Sequence, residues 1–313
     1  MMDYPLVSVI IPSYNHAPYI VQRIDSVLAQ TYPNFEVIIL DDCSPDNSRE
    51  LIMKYEGKPH ISKIILNETN TGNTFRQWEK GIQLAKGSLI WIAESDDYAA
   101  PSFLEKVVSK MTSTPDCVIG FSHSTIVDKE GKELPWSLDK PKLYSHQGIY
   151  DGTAFARARM IRSNNLYNAS MIVFRRECFG QVDPLYKSLR YAGDWAFWLC
   201  ICTMGTIVEV PECLNAFRQH PKKVTFSAQK EGEKLEEVYR IFSLAMRLLN
   251  LTPRQQQVCR AIYTDILKKD KSIGKERRQQ LKTRYPILFA GNAYDSFIRR
   301  LDNLLGHRLS GIR

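Results

Sequence analysis

Apolar and polar positions along the first hundred residues alternate between two periods. Residues 7–11 are a short β-branched run that stops at Pro12, the pattern of a strand ending in a turn. Residues 19–29 place Ile20, Ile24, Val27 and Leu28 at helical spacing. Residues 35–40 read as a second buried strand closed by Asp41 and Asp42, and Asn47 or Ser48 can cap a helix running to Tyr55. A third strand covers 61–66, and a helix over 74–85 is closed by Gly87. A fourth strand, 88–93, leads into the acidic run 94–97, after which Pro101 opens another helix at its first turn.

Strands joined by helices in short units imply an α/β fold with a mostly parallel central sheet flanked by helices. Such sheets bind ligands beyond the carboxyl ends of their strands. Here those ends carry Pro12-Ser13-Tyr14-Asn15, Asp41-Asp42 and Glu94-Ser95-Asp96-Asp97, which points to one site built from three strand ends. After Met111 the pattern loosens into strands at 118–127, 170–174 and 206–210, a helix at 194–202 and a loop-rich stretch at 132–168. From Glu231 onward the chain reads as charged helices, a C-terminal helical extension.

Charge narrows the partners. Of 42 Lys/Arg and 34 Asp/Glu, 18 basic and 9 acidic residues lie from Phe226 onward, a net of +9, so the remaining 24 basic and 25 acidic residues give −1. A body of balanced charge argues against nucleic acid as a partner. The longest apolar stretch, 196–210, is broken by Gly205 and is too short for a membrane span, and the acidic start has no signal-peptide character. Seven cysteines without framework spacing then read as reduced thiols of a cytoplasmic protein, with Cys200 and Cys202 as core packing.

Three ordered runs carry a resemblance. VSVIIPSYN at 7–15, FEVIILDDCS at 35–44, and GIQLAKG at 81–87 followed by IWIAESDD at 90–97 resemble the family 2 glycosyltransferases in order and spacing. The resemblance covers residues 6–225 and implies a GT-A fold. It also implies an inverting glycosyltransferase, moving a sugar from a nucleotide-diphosphate-sugar to an acceptor hydroxyl. On it, residues 1–225 are the catalytic domain, with a nucleotide-sugar-binding part (1–115) and an acceptor-side part (116–225), and 226–313 a basic helical region. UDP-sugars are the favoured donors, with glycan or lipid-linked acceptors in surface polysaccharide or lipid-linked glycan assembly.

The same resemblance distributes roles. Glu94-Ser95-Asp96 stands where the family has Asp-x-Asp, making Asp96 a ligand of Mn²⁺ or Mg²⁺, with hard carboxylate oxygens suited to either ion. Glu94 replaces the usual first Asp and, with Ser95, goes to the nucleotide-sugar. Asp42 matches the nucleobase contact, Pro12 and Tyr14 the edge and face against which the base rests, Ser13 and Asn15 further nucleotide-sugar contacts, and Arg76 a basic position near the phosphates. Asp194, in GDWAFWL at 193–199, matches the general base, although Gly193 stands where the family usually has an acid. Phe217-Arg218-Gln219-His220, with Thr225, resembles a segment closing over the donor phosphates, with His220 as a metal or diphosphate contact. The alternatives are a sugar nucleotidyltransferase, which wants a Gly-rich phosphate loop where this chain has Pro12 to His16, and a non-catalytic sugar-nucleotide-binding protein, which would not need Asp42, Asp96 and Asp194 together.

One tail feature stays open on sequence grounds. Tyr294, Phe297, Ile298, Leu301, Leu304 and Leu305 form one helical stripe, capped by Asn292 and ended by Gly306, with Arg299, Arg300 and Arg308 around it. Packing on the domain, contact with a second copy in a homodimer, and peripheral attachment to the inner face of an anionic membrane all use such a stripe.

Overall fold

The computed structural model describes residues 4–135, 148–220 and 233–304. Thr225, Leu305, Gly306 and Arg308 lie outside the described residues. Among these residues a nine-stranded sheet forms the centre of the first compact unit, made of 1–150, 168–182 and 205–220. Strands β1 (Val7–Ser13), β2 (Phe35–Asp41), β3 (Ile61–Leu66) and β4 (Leu89–Ile92) are parallel in the order β3-β2-β1-β4. They are linked by α1 (Ala17–Leu28), α2 (Ser48–Met53) and α3 (Thr74–Leu84). Every residue of β1 and β2 is buried, as helices on both faces of a parallel sheet require.

Beyond β4 come β5 (Tyr98–Ala99), α4 (Phe103–Thr112), β6 (Cys117–Val127), β7 (Ile149–Asp151), β8 (Ile172–Arg175) and β9 (Thr206–Arg218). They extend the sheet as β4-β8-β6-β9-β5, with β8 antiparallel to both its neighbours and β7 paired to β9. The expected mostly parallel α/β architecture is thus present. Its details differ at two prolines. Pro12 lies inside β1 because pairing with β4 ends at Ile10–Ile92, so the proline sits where one neighbour is missing. Pro101 precedes rather than opens α4, which starts two residues later behind Ser102.

Gly87 has a different job from the one expected. Its φ is not positive, so it is no left-handed helix cap. A Cβ there would lie 2.5 Å from the Leu6 carbonyl oxygen, and its N–H donates to Ser8 Oγ at 2.8 Å, so glycine lets the turn after α3 press against β1. Nor do Asn47 or Ser48 cap α2. Asp46 does, accepting from the Ser48 N–H and from the Ala17 N–H that starts α1, both at 3.0 Å.

The second compact unit comprises 151–167, 183–204 and 221 onward. It contains α5 (Gly152–Phe155), α6 (Gly193–Cys202), α7 (Glu233–Leu249), α8 (Pro253–Lys269), α9 (Lys275–Arg284), α10 (Pro286–Phe289) and α11 (Ala293–Leu304). A Thr252–Gln255 capping box starts α8. Cys200 and Cys202 are buried in α6, where burial raises both thiols, the first to about 11. Neutral, packed thiols are what the sequence suggested for this pair. Among the described residues no helix is long and apolar enough to cross a membrane.

Candidate active site

The carboxyl ends of β1, β2 and β4 converge, as the parallel sheet dictates. The Asp42 N–H donates to the Ser13 carbonyl at 2.8 Å, holding the ends of β1 and β2 together. Asn15 takes the left-handed conformation (φ 57°), one that asparagine tolerates, and its N–H donates to Ser44 Oγ at 2.9 Å. Pro12 and Ser13 are buried, Ser13 Oγ has no hydrogen-bond partner among the described residues, and the Tyr14 ring is exposed.

The two aspartates after β2 do different work. Asp41 closes the local turn, accepting from the Ser44 N–H (3.0 Å) and hydroxyl. Asp42 is committed to the loop before α3. It accepts from Asn67 Nδ2 (2.8 Å), Gln77 Nε2 (2.8 Å), Thr71 Oγ1 (2.7 Å) and the Thr71 N–H (3.1 Å). A carboxylate offers about four lone-pair sites, so a nucleobase N–H reaches Asp42 only by displacing one of these donors. Arg76 is on the exposed side of α3, beside the inward-facing Gln77.

The acidic turn after β4 is held from two sides. Arg23 on α1 is fully buried, its Nε donating to the Glu94 carbonyl at 2.8 Å and its Nη2 lying 4.0 Å from Asp97 Oδ2. Burial lowers its guanidinium to about 10, opposed by Asp97, Asp96 and Glu94. Arg218, at the end of β9, donates through Nε to the Asp96 carbonyl (2.8 Å), through Nη1 to the Lys129 carbonyl (2.9 Å) and through Nη2 to Gln22 Oε1 (2.6 Å). Its N–H donates to Asp97 Oδ1 at 3.0 Å. Arg218 is therefore turned inward as a brace, not outward toward phosphates. Glu94 accepts from Trp78 Nε1 at 2.8 Å, and burial together with the Asp96 charge pushes its carboxyl up to about 8.

Beside that braced turn lie three side chains that could hold a metal ion. His16, Asp96 and His220 each present one ligand atom, and the three atoms lie within 4.8 Å of one another. His220 Nε2 is 3.1 Å from Asp96 Oδ2, and His16 Nδ1 is 2.8 Å from Ser95 Oγ. Two imidazoles and a carboxylate form a competent donor set for a divalent first-row metal. Asp96 and His220 were already candidates in the sequence. His16 was not, because its signal is its place in space, three residues past the end of β1, rather than any motif.

The Glycosyl transferase family 2 model matches residues 8–179, a span that runs from β1 through the Asp96 turn and past β8. The chain belongs to this family. It is therefore a glycosyltransferase. It is 29% identical over 237 residues to a protein named as the teichuronic acid biosynthesis glycosyltransferase TuaG of Bacillus subtilis strain 168, covering 75% of this chain and 88% of that protein. Among solved structures it superposes on S. aureus TarS with a TM-score of 0.66 at 16% identity, over 97% of this chain and 54% of that one. The chain thus spans about half the length of that structure. A TarS 1–349 complex with UDP-GlcNAc matches at TM-score 0.60 and 18% identity, covering 96% of this chain and 92% of that one. The mannosyltransferase PcManGT of Pyrobaculum calidifontis, in complex with GDP-Man and Mn²⁺, matches at TM-score 0.59 and 16% identity, over 97% and 88% of the two chains. At these identities the structural matches establish the GT-A fold.

Asp194 belongs to the second unit. It lies in the first turn of α6, accepting from Asn164 Nδ2 and from the Trp195 N–H, each at 2.8 Å. Burial dominates over those bonds and lifts its carboxyl from 3.8 to about 7. The turn before it is pinned by Glu237 of α7, whose carboxylate accepts from the N–H groups of Arg190 (2.7 Å), Tyr191 (2.9 Å) and Ala192 (3.0 Å). No sequence motif announced Glu237. Its role depends on α7 folding back beside the start of α6.

Proposed function

We propose that the chain is an inverting glycosyltransferase that uses a UDP-sugar and Mn²⁺ in the transfer of a sugar to an acceptor hydroxyl. The observation that carries the reading is the His16–Asp96–His220 cluster at the ends of the parallel strands. When bound, the cation supplies positive charge against the diphosphate leaving group. Two nitrogen ligands favour Mn²⁺ over Mg²⁺, which prefers an all-oxygen shell. Arg23 and Arg218 keep the acidic turn in position, so that Asp96 is presented without rearrangement. Tyr14 offers an exposed aromatic face to the base. Asp42 receives the base N–H by exchanging one loop donor, and Arg76 meets the phosphates from the exposed side of α3.

Asp194 is the proposed base for the acceptor hydroxyl. A carboxylate that titrates near 7 matches the driving force for proton removal better than an ordinary aspartate does. Bacterial surface glycan assembly is the proposed setting, on the strength of the TuaG relative, with a cytoplasmic location. The test is a nucleotide-sugar panel with Mn²⁺, Mg²⁺ or chelator, read by the nucleotide released. Nucleoside diphosphate released with Mn²⁺ and lost in Asp96→Ala is the expected result. Full turnover in excess chelator overturns the metal assignment, and nucleoside monophosphate or triphosphate as product overturns glycosyl transfer.

A further inference from the structure

Helix α11 turns its carboxylates inward and its large apolar side chains outward. Asp295 is buried and accepts from Arg260 Nε (2.9 Å) and Nη2 (3.1 Å), and buried Asp302 pairs with Arg162. Among the described residues, Ile298 is the buried apolar side chain on that inner face. Asn292 caps the helix as the sequence suggested, accepting from the Asp295 N–H at 3.0 Å. The stripe itself is not core: Tyr294, Phe297 and Leu304 are 59%, 57% and 82% exposed, with part-buried Leu301 between them. Positions 294, 297, 301 and 304 fall on one side of an α-helix. Ion pairs thus anchor the helix so that its apolar side faces solvent, and apolar surface left exposed in contiguous groups marks an interaction site.

Charge decides the occupant. Arg300 is exposed and lies one turn from both Phe297 and Leu304, at the edge of the apolar strip. Lys268 and Lys269 are exposed at the end of α8, which packs on α11, and Lys271, Lys275 and Arg284 are exposed further along the chain, in a region of net charge +9. A two-fold contact through this strip would bring Arg300 toward its own copy within a region already strongly positive. An anionic lipid surface meets both features at once: aromatic and aliphatic side chains enter the headgroup–acyl boundary while cations pair with lipid phosphates.

We propose that the Tyr294–Leu304 strip of α11 docks this chain on an anionic membrane surface. The full chain is incubated with vesicles of phosphatidylcholine alone, or with about 30% phosphatidylglycerol, and sedimented at low and high salt. Binding to the anionic vesicles only, weakened several-fold by salt, is the expected result for exposed cations near lipid. The Tyr294→Ser/Phe297→Ser/Leu304→Ser variant changes exposed positions alone, so it should keep its circular dichroism and melting curve while binding at least about tenfold more weakly. Arg300→Glu, with no apolar change, should weaken binding roughly tenfold. Wild-type protein that ignores anionic vesicles overturns the proposal, as does a triple variant that binds them undiminished. A concentration-dependent dimer that the triple variant loses, without vesicle binding, assigns the strip to a second copy instead.

Discussion

Asp194 holds its proton with unusual strength for an aspartate, and that has two consequences of opposite sign. As the proposed base it must be ionised, so kcat should climb through pH about 7 and level off above it. Asp194→Asn cannot accept the proton and should lose on the order of 10²–10⁴-fold in turnover and the pH dependence with it. For stability the sign reverses. A folded carboxyl that titrates near 7 instead of 3.8 binds protons more tightly than the unfolded chain between those values, so the wild-type protein loses stability as pH rises across that window. The asparagine variant escapes this. At pH 8 it should be more stable than wild type by about 1–2 kcal/mol, discounting for the partial exposure of the site, with the difference vanishing near pH 4. Paired urea titrations at the two pH values check the sign. His16 gives a second residue-scale test. His16→Ala should weaken Mn²⁺ binding at least tenfold, on the order seen when groups around a metal site are removed. Calorimetry reads it directly, and unchanged Mn²⁺ affinity would strike His16 from the set. Asp96 and Asp194 could be named as candidates because the runs that hold them resemble family motifs at fixed sequence spacing. His16, Arg23 and Glu237 could not, and neither could the inward bracing role of Arg218, because each acts across a tertiary contact that no local spacing encodes.

At the scale of elements, hydrophobic periodicity located the strands and helices of the first unit because burial on both faces leaves long apolar runs in β1, β2 and β4. It failed where a local breaker was overruled by pairing. The apolar run predicts a strand over 206–210, yet β9 continues through Pro211 to Arg218, following β6 through register shifts near His123. That continuation delivers Arg218 and His220 to the Asp96 turn, so the misread boundary is also the one that assembles the site. Packing likewise overrides propensity in α3. Gly81 sits mid-helix, where alanine is ordinarily better by about 1 kcal/mol. A Cβ there would meet Ile10 Cγ2 of β1 at 2.4 Å, and a β-branched side chain in a filled core has little room to move. Gly81→Ala should therefore destabilise the protein, by about 1–3 kcal/mol. Denaturant midpoints decide between the two effects by sign alone, since a propensity-dominated site would become more stable.

For the whole molecule, the connectivity of the second unit sets how far the chain can be shortened. Its segments 151–167 and 183–204 share a core with helices that come much later in sequence. Met160, Ile161 and Trp195 group together with Val238, Ile241, Phe242 and Ala245 of α7 and Tyr263 of α8. Tyr263 Oη also donates to the Arg162 carbonyl at 2.9 Å, and Arg157 Nε to the Leu249 carbonyl at 2.9 Å. Removing everything after residue 225 would strip α7 and α8 from this core and leave apolar side chains of α6, Trp195 among them, facing water. It would also free the three N–H groups that Glu237 holds ahead of Asp194. Burying a large apolar side chain is worth about 1.5–3 kcal/mol, and a domain's net stability is only about 5–15 kcal/mol, so the loss of several such contacts cannot be absorbed. Expression of residues 1–225 should give aggregated protein. The milder Glu237→Gln keeps the helices and removes one charge. It should fold, show faster amide exchange at Arg190, Tyr191 and Ala192, and lose turnover while its Mn²⁺ affinity stays unchanged. Soluble, fully active 1–225 protein, or Glu237→Gln exchange like that of wild type at those three amides, would show that α6 does not depend on α7 for its position.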